Sequence, residues 1–146
     1  MIQILDSQKI LELSKEHIPS AWEVTPNMID LIKEKLPKFS DIKNELLPFF
    51  SKPNISNQFL LDKYPDSNIN EIIPIMINSI QNHNSINKET LNEIMNHIGS
   101  KTGCTGKKLW QPIRLIITGQ EHGPDLASFI SIIGLEECIK RFSNAL

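Results

Sequence analysis

Apolar positions recur with a helical period along almost the whole chain. From Asp6 to Ile18 they fall at Ile10, Leu11, Leu13 and Ile18, and Pro19 closes the segment. Thr25-Pro26 supplies a hydroxyl cap followed by a proline suited to a first turn. Beyond it Met28, Ile29, Ile32 and Leu36 return at spacings of three and four, until Pro37 interrupts. Ser40-Asp41 opens another short helix with Ile42, Leu46 and Leu47, running into Pro48-Phe49-Phe50 as an aromatic corner expected to be buried. Residues 51–70 are rich in Ser, Pro, Asn and Asp and mark a boundary, so the chain divides into 1–66 and 67–146.

The second part repeats the theme. Ile69, Ile72, Ile73, Met76, Ile77 and Ile80 make a strongly apolar helix, in which Pro74 is tolerable only near the first turn. Asn87 caps a helix carrying Leu91, Ile94, Met95 and Ile98, and Gly99 is its expected stop. A loop from Ser100 to Gly106 follows. Pro112 is the expected start of a helix that turns Ile113, Ile116 and Ile117 inward. Gly123-Pro124-Asp125 starts the next, with Leu126, Phe129, Ile130 and Ile133, and Gly134 breaks it. Leu135, Cys138, Ile139 and Phe142 form the last stripe. No segment alternates with a period of two, so a sheet is not expected. The expected fold is all-α: eight or nine short helices in two small packed subdomains.

Composition narrows the function classes. With 40% hydrophobic and 22% charged residues, the chain can bury a core. It lacks a run of about 18 apolar residues, so no membrane partner is expected. The first twenty residues show no secretory pattern, and two cysteines, Cys104 and Cys138, are too few for a disulfide framework. A cytoplasmic protein with two free thiols is the expectation. Net charge is -2, but Lys101, Lys107, Lys108, Arg114, Lys140 and Arg141 outnumber Glu121, Asp125, Glu136 and Glu137 in the last third. A positive end on a negative body is compatible with an anionic partner, and equally with chance.

Catalytic chemistry is hard to find. His17, His83, His97 and His122 make no pair at metal spacing, and His97 and Cys104 are seven apart. Gly103-Cys-Thr-Gly106-Lys107-Lys108 has the wrong spacing for a phosphate loop and reads as a linker. His97-Ile-Gly-Ser100 looks like the first ATP signature of class I aminoacyl-tRNA synthetases. Here it ends an amphipathic helix with no parallel sheet around it, so it reads as a helix terminus without a catalytic role.

The segment Gly106–Phe142 is more informative. Lys107-Lys108, Pro112, Arg114, Thr118-Gly119, Pro124, Leu126, Gly134 and Arg141 closely resemble, in order and spacing, the C-terminal end of bacterial-type glutamyl-tRNA synthetases. Ile29–Lys35 followed by Phe49-Phe50 resembles that family too, with Lys35 standing where Arg is usual. The resemblance implies an anticodon-binding helical bundle of two subdomains, reading the splayed bases of tRNA(Glu). It places the catalytic core N-terminal to this region and outside the chain, with ATP and magnesium as that core's cofactors and none in the chain itself. An excised domain, or a free-standing relative of one, acting as a monomer is therefore expected. A helical protein-interaction adaptor of the translation machinery is the alternative.

Carried over residue by residue, the RNA-binding set is Arg114, Gly123, Pro124, Leu126, Lys107, Lys108 and Lys35. Unstacked loop bases offer edges for hydrogen bonding and faces for stacking. Arg114 brings a planar fork suited to a base edge or phosphate; without the resemblance it reads as a surface arginine. Gly123, Pro124 and Leu126 are the carried-over base contacts, and free N–H groups at the helix start there suit RNA oxygens. Lys107 and Lys108 attract phosphate, and Lys35 is assigned to the first anticodon base. Asp125 either caps its helix or accepts from a base amine. Trp110 is expected in the core, with stacking on a base as the alternative.

Overall fold

The structure is a computed structural model that describes residues 6–33, 36, 38–121 and 125–146. Among them there are nine α-helices and no strand: α1 (Ser7–Ser14), α2 (Pro26–Ile32), α3 (Ile42–Phe50), α4 (Asn57–Lys63), α5 (Ile69–Gln81), α6 (Lys88–Thr102), α7 (Lys107–Thr118), α8 (Leu126–Ile133) and α9 (Leu135–Ser143). None is long and apolar enough to cross a membrane. The helices group into two compact units, Met1–Ser51 and Lys52–Leu146.

In the first unit, the Asp6 carboxylate accepts from the Lys9 N–H at 2.7 Å and so caps α1. The expected single helix to Ile18 ends at Ser14, and a 3-10 turn over Lys15–His17 completes it. Ile10 is fully buried, whereas Leu13 is 44% exposed and Ser14 takes the buried position. Ile29, Ile32, Leu36, Ile42 and Leu46 complete this core. Pro26 begins α2 after Thr25, but the threonine hydroxyl makes no cap bond. The Ser7 hydroxyl donates to Asp30, tying α1 to α2. Phe49 is buried as expected, and Phe50 is half-buried with its ring stacked on Trp22 at 4.6 Å.

In the second unit α5 is central and touches α4, α6, α7 and α9. Ile72, Ile73 and Met76 are fully buried, along with Ile98 of α6, Ile113 and Ile117 of α7, and Cys138 and Phe142 of α9. Burial of each large apolar side chain contributes about 1.5–3 kcal/mol. The unit begins before residue 66, the division suggested by composition. Helix α4 packs on α5, and the Asn57 amide donates to the Ala145 carbonyl at 3.1 Å. Both cysteines are free and buried, and burial pushes the Cys138 thiol up to about 12.

Two expected helix ends move. Helix α6 does not stop at Gly99 but continues to Thr102, and its C-cap is Gly103 at φ 75. Gly99 is needed for another reason: a Cβ there would lie 3.0 Å from Thr105 Cγ2 and 3.3 Å from the Cys104 carbonyl. The His97–Ser100 tetrapeptide therefore sits inside α6, one turn before its end. Helix α7 starts at Lys107, not at Pro112, which lies within it. Pro48 in α3 and Pro74 in α5 are likewise internal. Each proline deprives the carbonyl four residues earlier of its donor. Those residues are Asn44, Asn70 and Lys108, all exposed, so water can serve them.

Because only the left-handed conformation at Gly103 ends α6, Gly103→Ala is expected to lower the unfolding free energy by about 1–2 kcal/mol. Urea unfolding measures it. An unchanged midpoint would mean that α6 ends elsewhere.

Candidate nucleic-acid interface

Helix α7 builds the centre of the site. Gly106, at φ 63, turns the chain into it, and the Gly106 carbonyl accepts from Leu109 and Trp110 N–H, each at 3.0 Å. Leu109, Ile113, Ile116 and Ile117 face the core. Lys107, Trp110 and Arg114, at spacings of three and four, share another face. Lys107 and Lys108 are exposed on the first turn, which holds no acidic residue. Trp110 is half-buried, not the core residue expected. It lines a groove of about 390 Å³ between α6 and α7, with Met95, Gly99, Thr105 and Leu109.

Arg114 is half-buried one turn further on. Burial lowers its pKa while the charge of Asp125 opposes the shift, so the two groups lie within electrostatic reach. A guanidinium stays charged under such pressure. Asp125 caps α8: one carboxylate oxygen accepts from the Ser128 N–H at 3.0 Å and from its hydroxyl at 2.7 Å. These bonds lower its pKa, helped by the charges of Lys88 and Arg114. Lys88, exposed at the start of α6, is a cation that linear sequence reasoning missed. It lies far along the chain from the other two, and nothing local to Asn87-Lys88 marks it.

The turn after α7 is held at several points. The Thr118 hydroxyl donates to the Arg114 carbonyl at 2.8 Å and accepts from the Gln120 N–H at 3.1 Å. Gly119, at φ 78, has room for no Cβ without crowding Pro53 at 3.3 Å. Glu121 then pairs with Lys63 Nζ at 2.9 Å. The Lys63 ammonium lies 5.8 Å from the centre of the Tyr64 ring. Burial, and then Glu121, push the Tyr64 hydroxyl above its ordinary pKa. From the far side, Arg141 Nη1 donates to the Ile117 carbonyl at 2.5 Å.

Of the carried-over set, the structure thus brings Arg114, Lys107 and Lys108 onto α7. Leu126 opens α8, and its side chain is only 2% exposed, so its backbone is what it can present. Gly123, Pro124 and Lys35 lie outside the described residues, as does His122. Among the described residues no group of three His, Cys, Asp or Glu could hold a metal ion.

An all-helical unit that sets Lys107, Trp110 and Arg114 on one helix face beside a helix start has the residue types a nucleic-acid-binding surface uses. A family model described as the anticodon binding domain matches residues 5–146, and the chain belongs to that family. It is 27% identical, over 99% of its length, to a glutamate–tRNA ligase of Natranaerobius thermophilus, of which it covers 32%. It is 30% identical, over 88% of its length, to glutamate–tRNA ligase 1 of Campylobacter fetus, of which it covers 29%. The chain thus spans about a third of the length of the curated relatives it matches. Among solved structures, the glutamate–tRNA synthetase of Elizabethkingia anophelis matches 97% of the chain and 28% of its own, at TM-score 0.74 and 25% identity. A glutamate–tRNA ligase from Elizabethkingia meningosepticum shares the fold at TM-score 0.80.

The lowered pKa of Asp125 has a defined sign. A carboxylate held below its unfolded value stabilises the fold above about pH 4, and that contribution fades as pH falls through the lowered folded value. Asp125→Ala is expected to cost about 1 kcal/mol at neutral pH, the usual worth of such a cap. The difference from wild type, followed by denaturant unfolding across pH, should shrink as the solution is acidified below pH 4.

Proposed function

We propose that the chain reads the anticodon of tRNA(Glu) on behalf of a glutamate–tRNA ligase. The observation that carries this is the Lys107–Trp110–Arg114 stripe on α7, in a chain of the anticodon-binding family whose relatives are glutamate–tRNA ligases. Arg114 supplies a bidentate fork to a base edge or phosphate. Gly123, Pro124 and the backbone of Leu126 contact the bases in this reading, and Lys35 meets the first anticodon base. Lys107 and Lys108 draw in the phosphate backbone. Two ammonium groups on the first turn of α7 oppose its own dipole, each at a cost of about 0.3–1 kcal/mol. A bound anion would relieve that conflict.

In this reading the class I catalytic core is a separate part of the parent enzyme. It uses ATP and magnesium to attach glutamate in the cytoplasm, while the present chain contributes recognition as a monomeric module. Both compact units serve as anticodon-binding subdomains.

Binding of tRNA(Glu), compared with the same tRNA carrying substituted anticodon bases, tests the reading. Arg114→Ala is expected to weaken cognate binding by about 1–3 kcal/mol and to relax discrimination at one position. A wrong-base cost below about 0.5 kcal/mol for the wild-type chain would refute specific readout, since a bidentate contact is worth more. Affinity should fall steeply with added salt, as counterion release requires. A salt-insensitive interaction would point instead to apolar docking of a protein.

A further inference from the structure

We propose that Lys63, Tyr64 and Glu121 form a positioning device for anticodon readout, fixing the chain that leaves α7 so that base discrimination depends on it. The inference rests on the anticodon-reading function proposed above. It adds residues of α4 and its C-cap that neither the sequence motif nor the charge distribution pointed to.

The cluster is placed for this task. Glu121 follows Thr118-Gly119-Gln120, the turn that carries the chain from Arg114 toward Asp125. Upstream, the Thr118 hydroxyl accepts from the Gln120 N–H at 3.1 Å. Downstream, Asp125 is fixed by its cap on α8. Between them, the 2.9 Å ion pair to Lys63 anchors Glu121 to a helix far away in sequence. Lys63 ends α4, and Tyr64, its C-cap, is 9% exposed, so the ion pair starts from a packed helix end. The Lys63 ammonium also lies against the Tyr64 ring.

Stability alone gives little reason for the pair. The side chains of Lys63 and Glu121 are 39% and 30% exposed, and ion pairs so placed contribute little to folding. Geometry is what the pair can supply. A misplacement of about 1 Å at a recognition loop is enough to spoil directional hydrogen bonds to base edges. It leaves the long-range attraction of Lys107 and Lys108 for phosphate intact.

The experiment measures binding of the chain to tRNA(Glu) and to versions with single anticodon bases replaced. Wild type is compared with Lys63→Met, Glu121→Gln, the double variant and Lys63→Arg. Circular dichroism melting confirms that each is folded. The expected result is a roughly five- to tenfold loss for cognate RNA in both single variants, with substituted RNAs unchanged within about twofold and the salt slope unaltered. The double variant should match the singles, and Lys63→Arg should restore most discrimination by restoring the ion pair. Unchanged cognate discrimination in Lys63→Met and Glu121→Gln would overturn the proposal. So would an equal loss for all RNAs with a shallower salt slope, which would make Lys63 a phosphate contact. If wild type itself fails to discriminate, the anticodon-reading function falls, an outcome distinct from both.

Discussion

The second unit depends on one buried guanidinium. Arg141 is 3% exposed, and a charge at that depth is tolerable only when its hydrogen bonds are met. Its Nε donates to Glu137 at 3.1 Å, its Nη1 donates to the Ile117 carbonyl at 2.5 Å, and its Cζ lies 5.9 Å from the centre of the Phe129 ring. The Ile117 carbonyl is among the last four of α7, the ones a helix cannot satisfy internally. One side chain therefore completes the end of α7 and joins it to α8 and α9. The position of Thr118, Gly119 and Glu121, and with it the geometry of the candidate interface, follows from where that helix end is held.

The two ends of α7 do opposite electrical work. Its C-terminal end is tied down by a cation, the arrangement a helix dipole favours. Its N-terminal end carries Lys107 and Lys108 with no acid in the first turn, an arrangement the dipole disfavours. Lys88 at the start of α6 repeats the second pattern, although Glu89 follows it. Internal stability explains the first and not the second. The proposed RNA partner would account for the second, because positive helix ends and ammonium groups then add to one potential.

Much of this was legible in the sequence. The spacing of Ile72, Ile73, Met76 and Ile80, or of Ile113, Ile116 and Ile117, names the buried face of a helix because apolar burial dominates local energetics. Caps at Asn87 and Asp125 were legible for the same reason: a short acceptor side chain meets the N–H three residues on. Helix ends governed by packing were not. Gly99 and Gly103 are equally good stops by composition, and only the approach of Cys104 and Thr105 to Gly99 decides between them. Internal prolines misled in the same way, since whether the orphaned carbonyl faces water is a tertiary fact. At the candidate interface, motif spacing singled out Arg114 and the lysines that the fold places on α7. The Lys63–Glu121 pair and the approach of Lys88 to Asp125 join residues far apart in the chain, and no local pattern encodes them.

A net charge of -2 does not argue against an RNA partner. Charges beyond a Debye length, about 8 Å at physiological salt, are largely screened from one another. What a phosphate near the candidate interface would sense is the local set: Lys107 and Lys108 exposed on α7, Lys88 exposed on α6, and half-buried Arg114 beside Asp125. The acidic remainder then works for specificity, because a chain that repels polyanions elsewhere admits them at one place and in few orientations. In the proposed function, attraction of that kind brings an RNA loop to α7 but cannot tell its bases apart. Discrimination needs groups held in fixed directions, which is the task proposed for the Lys63–Glu121 pair.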